Sequence, residues 1–185
     1  MEETTTEQPS LFQHAIRWGL ILAGVSIFLT VLIYIVDYAI MVQFKFLGLS
    51  LLIYLGLTIY AGINYRTTIG GFISYGKAFQ QGFLVLAISG LVGTIFAFIL
   101  YHVIDPELPQ KLVDASVENA RAMMEKFGAP EDTIDPALEK AKIDAADRFT
   151  ILGQVKGYLI ALVFSAIMSL ITSIFVKKNQ PVEMM

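Results

Sequence analysis

The segment Gly71-Phe72-Ile73-Ser74-Tyr75-Gly76-Lys77-Ala78 comes nearest to a chemical motif in this chain. It almost fits the phosphate-binding loop G-x-x-x-x-G-K-[ST], where glycines bend the backbone around phosphates and the last hydroxyl holds magnesium. Ala78 stands where that hydroxyl belongs, and Phe72, Ile73 and Tyr75 are bulky. The residues before it form an apolar run of helical length, not a strand. The segment is therefore expected to be an interfacial turn, with Tyr75 and Lys77 anchoring the helix that follows.

The other reactive side chains do not assemble on paper. His14 and His102 fall at opposite ends of the expected layout, and His102 with Asp105 supplies too few ligands for a metal. Glu131-Asp132, Asp144 and Asp147 have the right type for acid–base work, but their strongly charged surroundings mark a solvated helix surface. Asp135-Pro136 is expected to start a helix, with Asp135 as N-cap. Arg17, Arg66 and Lys77 could clamp a lipid phosphate and serve equally well as topology signals. With no cysteine, thiol chemistry and disulfides are excluded. No catalytic, cofactor-binding or metal-binding residue is assigned. The chain is expected to be no enzyme and to need no cofactor.

The elements that position these residues are set by hydropathy. The 185 residues are 56% hydrophobic and only 16% charged, whereas soluble domains carry about 25% charged residues. Between Gly19 and Tyr101 the only charges are Asp37, Lys45, Arg66 and Lys77. This pattern predicts an all-α polytopic membrane protein with four transmembrane helices, about 16–36, 46–63, 79–104 and 151–176. Residues 1–10 are expected to be a flexible cytoplasmic tail, 11–178 the membrane domain and 179–185 a second cytoplasmic tail. The only polar side chains expected within the spans are Ser, Thr and Tyr. No ionisable group is expected at depth, which argues against a proton-coupled carrier, an intramembrane protease and a charge-lined channel.

Residues 105–150 are different in kind, with 6 Lys/Arg against 11 Asp/Glu. One amphipathic pattern places Val113, Val117, Ala120, Met124 and Phe127 on a face, and Gly128 and Pro130 end it. A second repeats through Leu138, Ala141, Ala145, Phe149 and Leu152. No breaker follows, so this helix is expected to continue into the fourth span.

Four spans put both termini on one side with the 66–77 loop. Arg17, Arg66, Lys77, Lys177 and Lys178 gather there, and most basic residues of 105–150 lie far from span ends. That side is assigned to the cytoplasm by the positive-inside rule, and 105–150 to the outside. Arg17, Trp18, Arg66, Tyr75, Lys77, Lys177 and Lys178 are the expected interfacial anchors. Gly153, Gly157, Ala161, Ser165, Ser169 and Ser173 recur every four residues in the fourth span. Ser89, Gly93 and Ala97, with Gly82 and Gly90, form a similar series in the third. Small residues let helices approach closely in lipid. The stripes are read as packing within the chain, with a homodimer seam or a membrane-protein partner as the alternative. The small net charge of −3 and the lack of a basic cluster argue against nucleic acid.

The run Gly70–Phe79 with Gly82-Phe83, the Tyr101, Ile104, Asp105 and Pro106 ending of the third span, Met124–Gly128 and the small-residue final span closed by Lys177-Lys178 belong together. In these the chain resembles the bacterial membrane family known as domain of unknown function 4199. The resemblance implies a four-helix inner-membrane protein with no assigned activity, and an accessory role in envelope assembly. The leading expectation is thus a non-enzymatic scaffold or accessory subunit of the cell envelope. A small-solute transporter or channel is the first alternative. A part in lipid-linked sugar metabolism, as accessory or enzyme, is the second.

Overall fold

In the computed structural model, which describes residues 10–181, every long element is helical. The order is α1 (Leu11–Asp37), a 3₁₀ turn (Tyr38–Val42), α2 (Phe44–Thr68), α3 (Tyr75–Ile99), a π turn (Leu100–Ile104), α4 (Leu108–Lys126), α5 (Glu131–Phe149) and α6 (Ile151–Val176). Among the described residues, four segments are long and apolar enough to cross a bilayer: Leu11–Val42, Phe44–Thr68, Tyr75–Ile104 and Ile151–Val176. A 25-residue helix rises about 37 Å, more than the hydrocarbon core of about 30 Å. Their outward faces carry Phe28, Ile35, Leu52, Ile95, Ile160 and Phe175, all exposed. In water such faces would be a liability; in lipid they are the solvent contact. The expected tail at 1–10 lies outside the described residues except for Ser10, as do residues 182–185 of the second tail.

The contacts divide the chain into two units, and the four long helices each contribute to both. The first unit holds residues 10–24, 53–90 and 161–181. Its apolar centre is Ala15, Leu22, Val85, Leu86 and Met168, packed by Trp18, Tyr54 and Ile88. A second cluster joins Tyr65, Ile73, Ala78 and Val176. Ile73 and Lys178 form an isolated antiparallel bridge, each N–H donating to the other's carbonyl at 3.0 Å. The second unit holds residues 25–52 and 91–160. There Leu100, Leu108 and Leu112 pack with Tyr34, Phe96, Tyr101 and Phe149. Within it α4 and α5 form a helical hairpin. Gly128, at φ 73°, closes α4, with Ala129 N–H donating to Met124 O at 3.0 Å.

Several boundaries differ from expectation. α1 begins at Leu11 rather than Ile16 because Ser10 and Gln13 cap it reciprocally, each backbone N–H meeting the other's side chain at 3.2 Å. α2 continues to Thr68, and α3 starts at Tyr75, where the Ser74 hydroxyl accepts from Lys77 N–H at 3.4 Å. α5 starts at Glu131, behind Pro130, so Pro136 lies inside the helix. Asp135 does not cap it; its carboxylate accepts from Arg121 at 3.0 Å instead. Phe127 lies beyond the last residue of α4 and is 80% exposed, not on its packing face.

The expected continuous α5–α6 helix is broken at Thr150, whose backbone is extended at φ −68°, ψ 157°. The Thr150 hydroxyl donates to Asp147 O at 2.7 Å and accepts from Gly153 N–H at 2.9 Å. The residue thus ends one helix and caps the next. Leu152 consequently leaves the α5 face and is 62% exposed.

Candidate functional site

Between α2, α3 and α6 the first unit contains a seam of polar side chains. Thr58, Gln81, Ser89, Ser169, Thr172 and Ser173 are all at most 2% exposed. Ser169 Oγ donates to Phe79 O at 2.7 Å across 90 residues, and Ser173 Oγ to Ser169 O within α6. A Cβ on Gly82 would stand 2.8 Å from Ser169 Oγ, so a glycine is what lets α3 meet α6 here. A Cβ on Gly62 would stand 2.6 Å from Val176. Three seam atoms, Thr58 Oγ1, Gln81 Nε2 and Ser89 Oγ, are buried without a hydrogen-bond partner among the described residues. Gln81 corrects the expectation that only Ser, Thr and Tyr lie at depth. The signal for it is the Gln80-Gln81 pair, which interrupts the apolar run near the start of the third span.

The earlier start of α1 carries His14 into the first span, where it is 5% exposed. An amide oxygen only accepts, so His14 Nε2–H donates to Asn64 Oδ1 at 3.0 Å. Nδ1 is then a buried acceptor without a partner among the described residues. Tyr65 lies 4.9 Å away by ring centroid, and Trp18 meets Tyr60 edge-on at 5.3 Å.

The small-residue series of α6 divides along its length. Ser169 and Ser173 are buried, Ser165 is half-buried, and Gly157 and Ala161 are exposed. Nothing lies within 4 Å of a Cβ built on Gly157. Gly153 is buried for a different reason: a Cβ there would run into Asp147 O, so it serves the corner at Thr150. In the third span Gly93 likewise faces open space.

Among the described residues of the first unit the only charged side chains are Arg17, Arg66, Lys77, Lys177 and Lys178. Arg66 donates to Val176 O at 2.8 Å and ties α2 to the end of α6. Tyr75 OH donates to Leu170 O at 2.9 Å. Arg17 and Lys177 are exposed and Trp18 is half-buried. Past the ends of α2 and α6 lies a recess of about 620 Å³ containing Lys77, Lys178, Ser74, Ile69 and Phe72.

In the second unit several charges pair. Tyr34 OH donates to Asp105 Oδ2 at 3.0 Å, and Lys111 Nζ stands 3.7 Å from the same oxygen and 3.3 Å from Glu107. Asp105 Oδ1 accepts from the Glu107 and Leu108 N–H groups at 3.1 Å. Loss of water works against the Asp105 charge. The Tyr34 hydroxyl, Lys111 and the two N–H groups outweigh it and hold the carboxyl below the usual range. The Glu107 carboxylate raises Lys111, against desolvation and with help from Asp105. His102 Nδ1 lies 3.0 Å from Phe98 O and its ring stacks on Phe98. Lys156 pairs with Asp147 at 3.6 Å.

Four lipid-facing helices, close approaches at glycine and a polar seam inside define a polytopic α-helical membrane protein. The profile of the family described as protein of unknown function DUF4199 matches residues 17–178. The chain belongs to that family. No curated protein and no solved structure gives a significant match.

Proposed function

We propose that the protein is a non-enzymatic scaffold or accessory subunit of the cell envelope whose α4–α5 hairpin meets a partner protein. The observation that carries this reading is apolar exposure outside the spans. On a hairpin otherwise rich in charge, Phe127 is 80% and Ile143 65% exposed. A few large side chains at the centre of a protein interface carry most of its binding energy, and these two are free to serve so. Photocrosslinking from positions 127 and 143 in native membranes, read by mass spectrometry, tests this. A discrete adduct lost on Phe127→Ser or Ile143→Ser is expected. Adducts to lipid alone sink the reading.

The proposed setting is the bacterial inner membrane with both termini cytoplasmic. Arg17, Arg66, Lys77, Lys177 and Lys178 support it, since they lie near the ends of α1, α2, α3 and α6, where the positive-inside rule counts them. Reporter fusions at residues 1, 128 and 185 check the sidedness.

The seam favours one second reading, a path for a small solute, because Gln81 Nε2, Thr58 Oγ1 and Ser89 Oγ are buried and unpartnered. Flux in liposomes that falls on Gln81→Leu without loss of fold supports it; liposomes without flux remove it.

A further inference from the structure

We propose that the recess at Lys77 and Lys178 binds a phosphate ester, and that the headgroup of an anionic phospholipid is its occupant. Its volume, about 620 Å³, falls within the range of small-molecule sites. Two of its walls are cationic, Lys77 from the first turn of α3 and Lys178 just beyond α6. No carboxylate occurs among the described residues of this unit, so neither ammonium has an acidic partner among them.

The cations are placed by the fold. The two-way backbone bridge to Ile73 pins Lys178, and its Nζ lies 5.6 Å from the centre of the Phe72 ring. Cation–π contact orients an ammonium but leaves its N–H donors available. Lys77 leaves a helix start that the Ser74 hydroxyl caps, where the helix dipole also favours an anion. Gly70 and Gly71, at φ 96° and 86°, turn the chain sharply enough for Ile73 to pair with Lys178. This is the segment that mimics a phosphate-binding loop, and it lacks that loop's magnesium hydroxyl.

The rest of the lining is mixed: Ile69, Phe72 and the buried Ile73 form an apolar side, and Ser74, Asn179 and Gln180 add polar groups. A bare anion gains nothing from the apolar side, whereas a phosphate joined to a glycerol and acyl chains uses it together with the cations. The lining segments follow directly on the ends of α2 and α6 and precede α3, which places them at headgroup depth. The site is independent of the α4–α5 hairpin, and the two stand or fall separately.

The test is native mass spectrometry of the full chain released from nanodiscs of equal phosphatidylglycerol and phosphatidylcholine. Wild type is compared with Lys77→Gln, Lys178→Gln and the control Lys177→Gln, a neighbouring lysine outside the recess. Wild type and the control are expected to retain phosphatidylglycerol. Each recess substitution is expected to weaken retention about fivefold, the effect of roughly 1 kcal/mol for one lysine beside an anionic surface. A parallel arm uses soluble glycerol phosphate. If it binds, depends on Lys77 and Lys178, and no lipid preference is seen, the site takes a free phosphate ester and the lipid assignment falls. Retention that is equal in all variants, or lost as strongly in the control, overturns the site. So does the absence of any preference in both arms.

Discussion

Tyr34 and Asp105 are separated by 71 residues, yet the phenol donates to the carboxylate at 3.0 Å. The bond ties the last turns of α1 to the corner where the π turn passes into α4. The same carboxylate caps that corner through two backbone N–H groups and faces Lys111. One side chain thereby fixes where the hairpin leaves the third span.

This corner is expected to weaken with acid. Asp105 has a lowered folded pKa, so its contribution is present above the ordinary aspartate value and lost as pH falls through the folded value. Thermal unfolding in detergent should show Asp105→Asn less stable than wild type at neutral pH. The gap should close below about pH 4, the ordinary aspartate range. Lys111 has the opposite sign: raised when folded, its contribution is full below the ordinary lysine range and lost as pH rises through the folded value. A gap that persists unchanged at pH 3 contradicts the assignment.

The α6 series separates by substitution. Gly153→Ala drives a methyl into the Asp147 carbonyl, so the corner must open. A loss of about 1–3 kcal/mol is expected, the usual cost of overpacking with a backbone shift. Gly157→Ala meets open space and replaces glycine within a helix. It should be neutral or stabilising by up to about 1 kcal/mol. Unfolding of both variants in one detergent compares them directly; equal losses would mean that Gly157 is covered.

The four spans were legible because hydrophobic periods of 20 residues leave no other solvent. Their ends were not, because ends depend on caps and partners. Asn64 and Arg66 look like span terminators, but each has a partner, His14 and Val176 O, so α2 runs past them. Pro136 looks like a helix start, yet Pro130 already stops the chain and Arg121 has taken Asp135. The break at Thr150 carries no Gly-Pro signal, since the residue that permits it, Gly153, sits three places on and falls within a regular small-residue series. The family was legible from its glycine and aromatic positions. The charge sorting was visible as the acidic character of 105–150, but the recess needed the Ile73–Lys178 bridge, which no spacing foretells.

His14 and Asn64 should behave as a pair. Asn64→Leu removes the acceptor and leaves a buried Nε2–H beside the unpartnered Nδ1. The cost of orphaning a buried polar group is about 1–3 kcal/mol. Replacing both residues by leucine removes the orphan as well, so the double variant should recover part of that loss. A double-mutant cycle on unfolding free energy measures the coupling. Additive effects would show that the 3.0 Å contact carries no energy.

Gln81 discriminates packing from passage. It is 1% exposed, and its Nε2 has no hydrogen-bond partner among the described residues. Replacing an unsatisfied buried amide by an apolar group of similar shape removes a desolvation cost. If the seam only packs helices, Gln81→Met should raise stability by about 1–2 kcal/mol, within the penalty for such a group. Hydrogen exchange of α3 would slow in step. If water or a solute occupies the seam, the amide is satisfied in the membrane, and the same substitution destabilises. The sign of one measured difference therefore decides whether the polar interior of this bundle is dry.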